Sequence, residues 1–315
     1  MKGTGMRRWP VGAVLAMLAV IVVGGCGDED SPSDRASAAV PGLHSFDLYV
    51  AASADGDVLS ADLYGITFDP LTVHRITTDK RISNLAADRS TVVVVAADEQ
   101  LDKLALVTEG GELVPLPGVG RPHGFSPEVR PNGRIRFEDD GPDNDRRVLG
   151  RVLEYDPQTE RTRVLFSSRR EINLAGTLSG GFLELVHRDN ADDQVAIVGD
   201  GARRVFRIAP RIGDALVGTG YVAARVYRVD DPTAEPTDTS LLDTMTGKAV
   251  VVRGWSPLAW SPDGTRLLVK RRPASGEMET ELGLLDVRRP KDVTQVGVVP
   301  ALVLYSGAWV SGEAL

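Results

Sequence analysis

Arginine is the residue of this chain best suited to chemistry, since 30 of its 36 basic residues are Arg and a subset of them recurs at near-regular intervals. Arg81, Arg121 with His123, Arg170, Arg211 and Arg253 each stand in a loop-like segment ahead of an apolar run. A guanidinium presents a rigid fork of N–H donors that matches a carboxylate or a phosphate. Acids recur out of step with these cations: Asp98, Glu99 and Asp102; Glu138, Asp139, Asp140, Asp143 and Asp145; Asp189, Asp192 and Asp193; Asp230, Asp231, Glu235 and Asp238; Glu277, Glu279 and Glu281. With both sets on one face, the expectation is a surface with a basic centre and an acidic periphery. It would take an anionic group at its axis and select a partner by charge complementarity.

Residues able to break or make covalent bonds are scarce. There is no Gly-x-Ser-x-Gly elbow, no His-Glu-x-x-His pair and no Gly-rich dinucleotide fingerprint. Gly247-Lys248 has the look of a phosphate-loop ending, but Leu242 stands where the first Gly belongs and Ala249 follows the Lys, so the segment reads as a hairpin turn. His44, His74, His123 and His187 are far apart, which gives no zinc spacing. Asp139, Asp140, Gly141, Asp143 and Asp145 do not follow the ligand order of a calcium-binding EF-hand loop. No metal and no cofactor is expected.

Cys26 is the one cysteine, so it has no internal disulfide partner. Met1 to Arg8 carries three cations and no acid, Val11 to Val23 is an almost wholly apolar run of 13 residues, and Val23-Gly24-Gly25-Cys26 follows. This is a signal-peptide pattern, and the run is shorter than the roughly 18 to 20 residues that span a bilayer. The tetrapeptide resembles the bacterial lipoprotein box, in which a small residue precedes a Cys that becomes the acylated, palmitate-bearing N-terminus. The resemblance implies residues 1–25 as a cleaved lipoprotein signal and lipid attachment at Cys26, on the extracytoplasmic face of a bacterial cell membrane. Residues 26–41, rich in Asp, Ser, Ala and Pro, read as a disordered tether.

A formal charge of -8 argues against nucleic acid as a partner. The excess of Arg over Lys beside abundant Ala, Val and Gly matches a GC-rich genome, such as an actinobacterial one. Thirty-three Gly and 19 Pro among strong β-formers favour many short strands joined by tight turns.

The elements that must position the charged loops are legible as a repeat. One turn series runs through Asp88-Arg89, Asn132-Gly133, Ser179-Gly180, Thr219-Gly220, Pro262-Asp263-Gly264 and Ser311-Gly312, at intervals of 44, 47, 40, 44 and 48 residues. A second runs through Asp69-Pro70, Glu109-Gly110, Asp156-Pro157, Asp200-Gly201, Asp243 to Gly247 and Asp286 to Pro290, at 40, 47, 44, 43 and 43. Two turn series with one period predict an all-β, six-bladed β-propeller over residues 42–315. Asp47 to Ala52 reads as a second strand, Val58 to Thr67 as a third and Val73 to Thr77 as a fourth. Leu302 to Val310 would then supply the missing first strand and close the ring.

Trp260-Ser-Pro-Asp-Gly-Thr-Arg-Leu-Leu268 resembles the TolB-like, WD40-like propeller repeat, and Phe68-Asp-Pro-Leu-Thr-Val-His-Arg-Ile-Thr77 resembles its third-to-fourth strand hairpin. The resemblance implies a binding module or a partner domain of a hydrolase, and no second, hydrolase-sized domain is visible. The expected function is a non-catalytic, lipid-anchored lipoprotein whose propeller face binds another envelope component, a protein or an anionic ligand, with the membrane held through the lipid. Two alternatives stay open. One is a metal-assisted hydrolase or lactonase using Asn84, Glu171, Asn173 and Asp214 near strand starts; the other is small-molecule or glycan sensing, for which Trp255 is the one aromatic in a lead-in loop.

Overall fold

A computed structural model describes residues 42–315 except 98–101, 118, 120–126, 140–149, 169–172, 179–180, 188–191, 199–202, 210, 228–237, 274–277 and 312–315. The signal peptide, Cys26 and the tether expected over 1–41 lie outside the described residues, as do Arg121, His123 and Arg170.

Six four-stranded antiparallel sheets make a six-bladed propeller, each blade running outward from an innermost strand. Three strands of blade 1 open the fold: β1 (Leu48–Ser53), β2 (Asp62–Phe68) and β3 (Leu71–Arg75). Blade 2 is β4 (Ile82–Ala87), β5 (Val92–Ala97), β6 (Asp102–Val107) and β7 (Leu113–Pro115). Blade 3 is β8 (Glu128–Val129), β9 (Ile135–Asp139), β10 (Gly150–Asp156) and β11 (Arg161–Ser168). Blade 4 follows with β12 (Asn173–Leu178), β13 (Gly181–Val186), β14 (Asp193–Val198) and β15 (Arg203–Ala209). Blade 5 is β16 (Ile212–Val217), β17 (Tyr221–Val226), β18 (Asp238–Asp243) and β19 (Ala249–Val252). Blade 6 is β20 (Ser256–Trp260), β21 (Arg266–Arg271), β22 (Thr280–Asp286) and β23 (Val293–Val299), after which β24 (Val303–Trp309) returns to blade 1 as its innermost strand.

The expected closure is therefore present, with Leu48 opposite Trp309 and Ser53 opposite Val303, and a bulge that leaves Tyr305 between two register positions. Val58–Ser60 is the departure from the expected third strand. Asp57 caps Leu59 N–H there and folds those three residues into a 3-10 turn, so the strand starts at Asp62.

Strands sandwiched between blades are apolar on both faces, as in Val92–Val95, where β-branched side chains fill both sides of the pleat. The first hairpin of blade 6 shows why turn chemistry recurs. Asp263 accepts from Ser261 Oγ, Thr265 N–H and Thr265 Oγ1, which holds its carboxyl at about 2, and Gly264 sits at φ 69°. A Cβ at Gly264 would come within 2.7 Å of the Thr219 backbone nitrogen in the turn of blade 5, so glycine is required twice over.

Blade junctions hold the core. Five are filled by apolar clusters of eight to thirteen buried residues, for example Tyr49, Leu63, Ile82, Val92 and Val94 between blades 1 and 2. Between blades 3 and 4 the described cluster has one buried member, Val152, with Leu165, Phe166 and Phe182 against it.

Candidate functional site

The innermost strands enclose an axial cavity of about 570 Å³. Its wall takes Asn84 from β4, Glu128 from β8, Thr177 from β12, Asp214 from β16, Trp260 from β20 and Ser306 from β24, and it reaches the turns at Gly218–Gly220 and Ser261–Gly264. The signature turn of blade 6 therefore borders the cavity as well as setting the repeat. Three arginines also line it, Arg130, Arg136 and Arg225, none of which the sequence reading singled out. A signal was available: Arg225 interrupts the apolar run Tyr221–Val226, and a charge inside a sandwiched strand needs a partner.

That partner is Asp214 on the neighbouring strand of the same blade, and a second acceptor comes from across the ring. Arg225 lies 3.2 Å from Asp214 and donates to Tyr305 O at 2.5 Å, while Lys270 donates to Leu304 O and Tyr305 O. Cations of blades 5 and 6 thus converge on the bulge of the closing strand in blade 1. Asp214, one of the carboxylates expected for a metal-assisted reaction, is engaged with this arginine. Among the described residues no three His, Cys, Asp or Glu side chains are grouped to hold a metal ion.

Arg81, Arg211 and Arg253 stand where expected, in the loops leading into β4, β16 and β20, and all three are exposed. None has an ion-pair partner among the described residues. None of them lines the axial cavity. Trp255 lies in the loop leading into β20, as read, but it is buried in the junction of blades 5 and 6 with the Arg271 guanidinium stacked 4.3 Å from its ring centre.

The acidic periphery is partly internal. Glu138, Asp139 and Asp193 are buried, and the Arg151 guanidinium grips Asp139 at 2.7 Å. Asp193 and Asp238, each the first residue of a third strand, accept the backbone N–H of Ile212 and Gly254 in the chain leading to the next blade. Asp62 does the same in blade 1. It is 1% exposed and accepts from Arg75 Nη2, Thr77 Oγ1, Asp79 N–H and Lys80 N–H. In blade 6 Thr280 fills the position and donates to Leu302 O. These polar groups latch one blade to the next.

In blade 3 Glu154 is a further internal acid, with 4% of its side chain exposed and Arg134, Arg136 and Arg163 around it. Burial opposes its ionisation, but the hydrogen bonds from Arg163, Arg136 and Arg134 outweigh burial and hold its carboxyl below the ordinary glutamate range. A depressed folded value means that ionised Glu154 contributes stability above the unfolded value, about 4.3 for a model glutamate. The contribution is lost as pH falls through the lower folded value. Glu154→Gln is expected to cost about 2 kcal/mol at pH 7 in denaturant unfolding, with the gap to the native chain closing below about pH 4. A gap that stayed constant from pH 7 to pH 3 would contradict this sign.

An all-β ring of six four-stranded blades around a polar axial cavity is a six-bladed β-propeller. Among solved structures the chain is similar to TolB from Acinetobacter baumannii, with 16% identity, a TM-score of 0.56 and coverage of 86% of this chain and 68% of that one. It also matches an oligogalacturonate lyase in complex with manganese, at 14% identity, TM-score 0.49 and coverage of 81% and 73%. The β-propeller domain of the Trilobed protease from Pyrococcus furiosus matches at 15% identity, TM-score 0.41 and coverage of 68% and 70%. At these identities the likeness is one of fold. No family model and no curated protein sequence matches the chain.

Proposed function

We propose that this chain is a non-catalytic, lipid-anchored propeller on the extracytoplasmic face of a bacterial membrane, whose lead-in face binds an acidic surface of another envelope protein. Support for the address comes from the charged, apolar and Gly-Gly-Cys26 succession of residues 1–26. Support for binding rests on one observation: Arg81, Arg211 and Arg253 are exposed without an ion-pair partner among the described residues, whereas Arg75, Arg134, Arg136, Arg151, Arg163 and Arg225 are each paired with a carboxylate. Unpaired guanidiniums on a rigid surface are the common currency of charge-complementary recognition.

The test uses the full-length chain, cross-linked in place on its own membranes. Combined Arg81→Gln, Arg211→Gln and Arg253→Gln should lower the yield of a discrete cross-linked species at least about tenfold, since each lost charged hydrogen bond is worth about 1.5–3 kcal/mol. Cys26→Ser should move the chain into the soluble fraction. Persistence of the species in the triple variant, or of the Cys26→Ser chain on the membrane, would overturn the reading.

A further inference from the structure

We propose that the junction between blades 3 and 4 is a binding site for a small, doubly charged oxyanion, inorganic phosphate or a soluble phosphate monoester. It stands apart from the lead-in face. Sheet register sets Glu128, Arg136, Glu154 and Arg163 in one row across β8 to β11. The next row of the same face carries Arg130, Arg134, Asp156 and Arg161, with Arg130 N–H bonded to Arg134 O and Asp156 opposite Arg161. Both Glu128 oxygens reach Thr177 of β12, at 2.7 Å to its N–H and 2.5 Å to its hydroxyl, so this face is turned toward blade 4.

Where the other five junctions bury apolar side chains, this one presents charge. Beyond the two rows the blade 3 wall holds buried Glu138, and the blade 4 wall adds Arg203, paired with Glu184, and Arg207, opposite Gln194. Among the described residues of these two walls seven arginines face five acids, in a chain whose formal charge is -8.

Glu128, Glu154, Asp156 and Glu184 are each engaged with an arginine or with Thr177, and the arginines keep donors. Glu154 takes three guanidiniums, and Arg134 also reaches Asp156 at 3.3 Å. Arg130 has a single contact, 3.5 Å to Glu128, and Arg136 gives Nε alone to Glu154. Both line the axial cavity, so the remaining N–H groups of two neighbouring forks face a space that holds a ligand. On the cavity wall Arg130, Arg136 and Arg225 outnumber Glu128 and Asp214 among the described residues, and paired planar forks match a dianionic phosphate, which accepts several charge-assisted hydrogen bonds at once.

Isothermal titration of the full-length chain with inorganic phosphate, at ionic strength matched with chloride, tests the site. The expected result is saturable one-to-one binding, weakened about tenfold in Arg130→Gln and unchanged in Arg81→Gln. Arg130 is the variant of choice because its one side-chain contact among the described residues, 3.5 Å to Glu128, is long, so the fold survives its loss. Absence of saturable heat, equal affinity in Arg130→Gln, or a loss confined to Arg81→Gln would each overturn the proposal. So would binding to vesicles containing phosphatidic acid without binding to free phosphate, which would make the ligand a lipid headgroup.

Discussion

Deleting Leu302 to Leu315 is expected to abolish the cooperative thermal transition of the chain. The segment buries Leu302 and, in β24, Val303, Leu304 and Trp309, and a fully buried side chain of this size is worth about 1.5–3 kcal/mol. Four such side chains together come to roughly 6–12 kcal/mol. A whole domain is stable by only about 5–15 kcal/mol, so the loss is comparable with everything the fold has. The deletion also bares β1, whose six residues are all buried, as an unpaired edge that invites aggregation. Arg225 and Lys270 lose the carbonyls they serve. Calorimetry should show no single transition; a truncated chain with the native melting profile would refute the role of β24 in holding the ring.

Asp62→Ala is expected to cost about 3–5 kcal/mol, the usual penalty for removing one member of a buried ion pair. Its carboxylate satisfies Arg75, Thr77 and two backbone N–H groups, and the linker it holds keeps Asp79 and Arg81 at φ 57° and 51°. Left-handed backbone at non-glycine residues costs on the order of 1 kcal/mol each, which the latch offsets. The midpoint of urea unfolding should fall sharply, while Asp192→Ala, at an exposed neighbour of the equivalent latch in blade 4, should leave it unchanged. Equal midpoints for the Asp62→Ala and native chains would remove Asp62 from any structural role.

Hairpin turns were readable in the sequence because their chemistry is local. Asp263 and Gly264 serve groups within two or three residues, and Asp156 and Asp243 likewise accept N–H groups just ahead of them. Closure by the last strand was readable for a similar reason, since counting turns shows which strands a terminal repeat lacks. Val58–Ser60 misled because Asp57 diverts an apolar run into a 3-10 turn. The blade latches were not readable. Asp62 and Asp193 find donors 17 to 19 residues ahead, so a sequence that shows acids near loops does not say that they face inward. The charged wall of blade 3 was hidden as well: Glu128, Arg136, Glu154 and Arg163 come together only through strand register. The loop positions of Arg81, Arg211 and Arg253 were readable because loops leading into innermost strands follow from the repeat alone, whereas Arg130, Arg136 and Arg225 sit within or beside strands.

Ser53 and Tyr305, joined by a hydrogen bond, stand 252 positions apart in the chain. Such pairing gives the fold a high contact order: the entropy of closing the largest loop must be met before β24 returns anything, and that slows folding. On a ribosome the strand that completes the circle is also the last to be made. Blades 2 to 6 are available before it, yet the ring gains its full mutual support only when the final segment arrives.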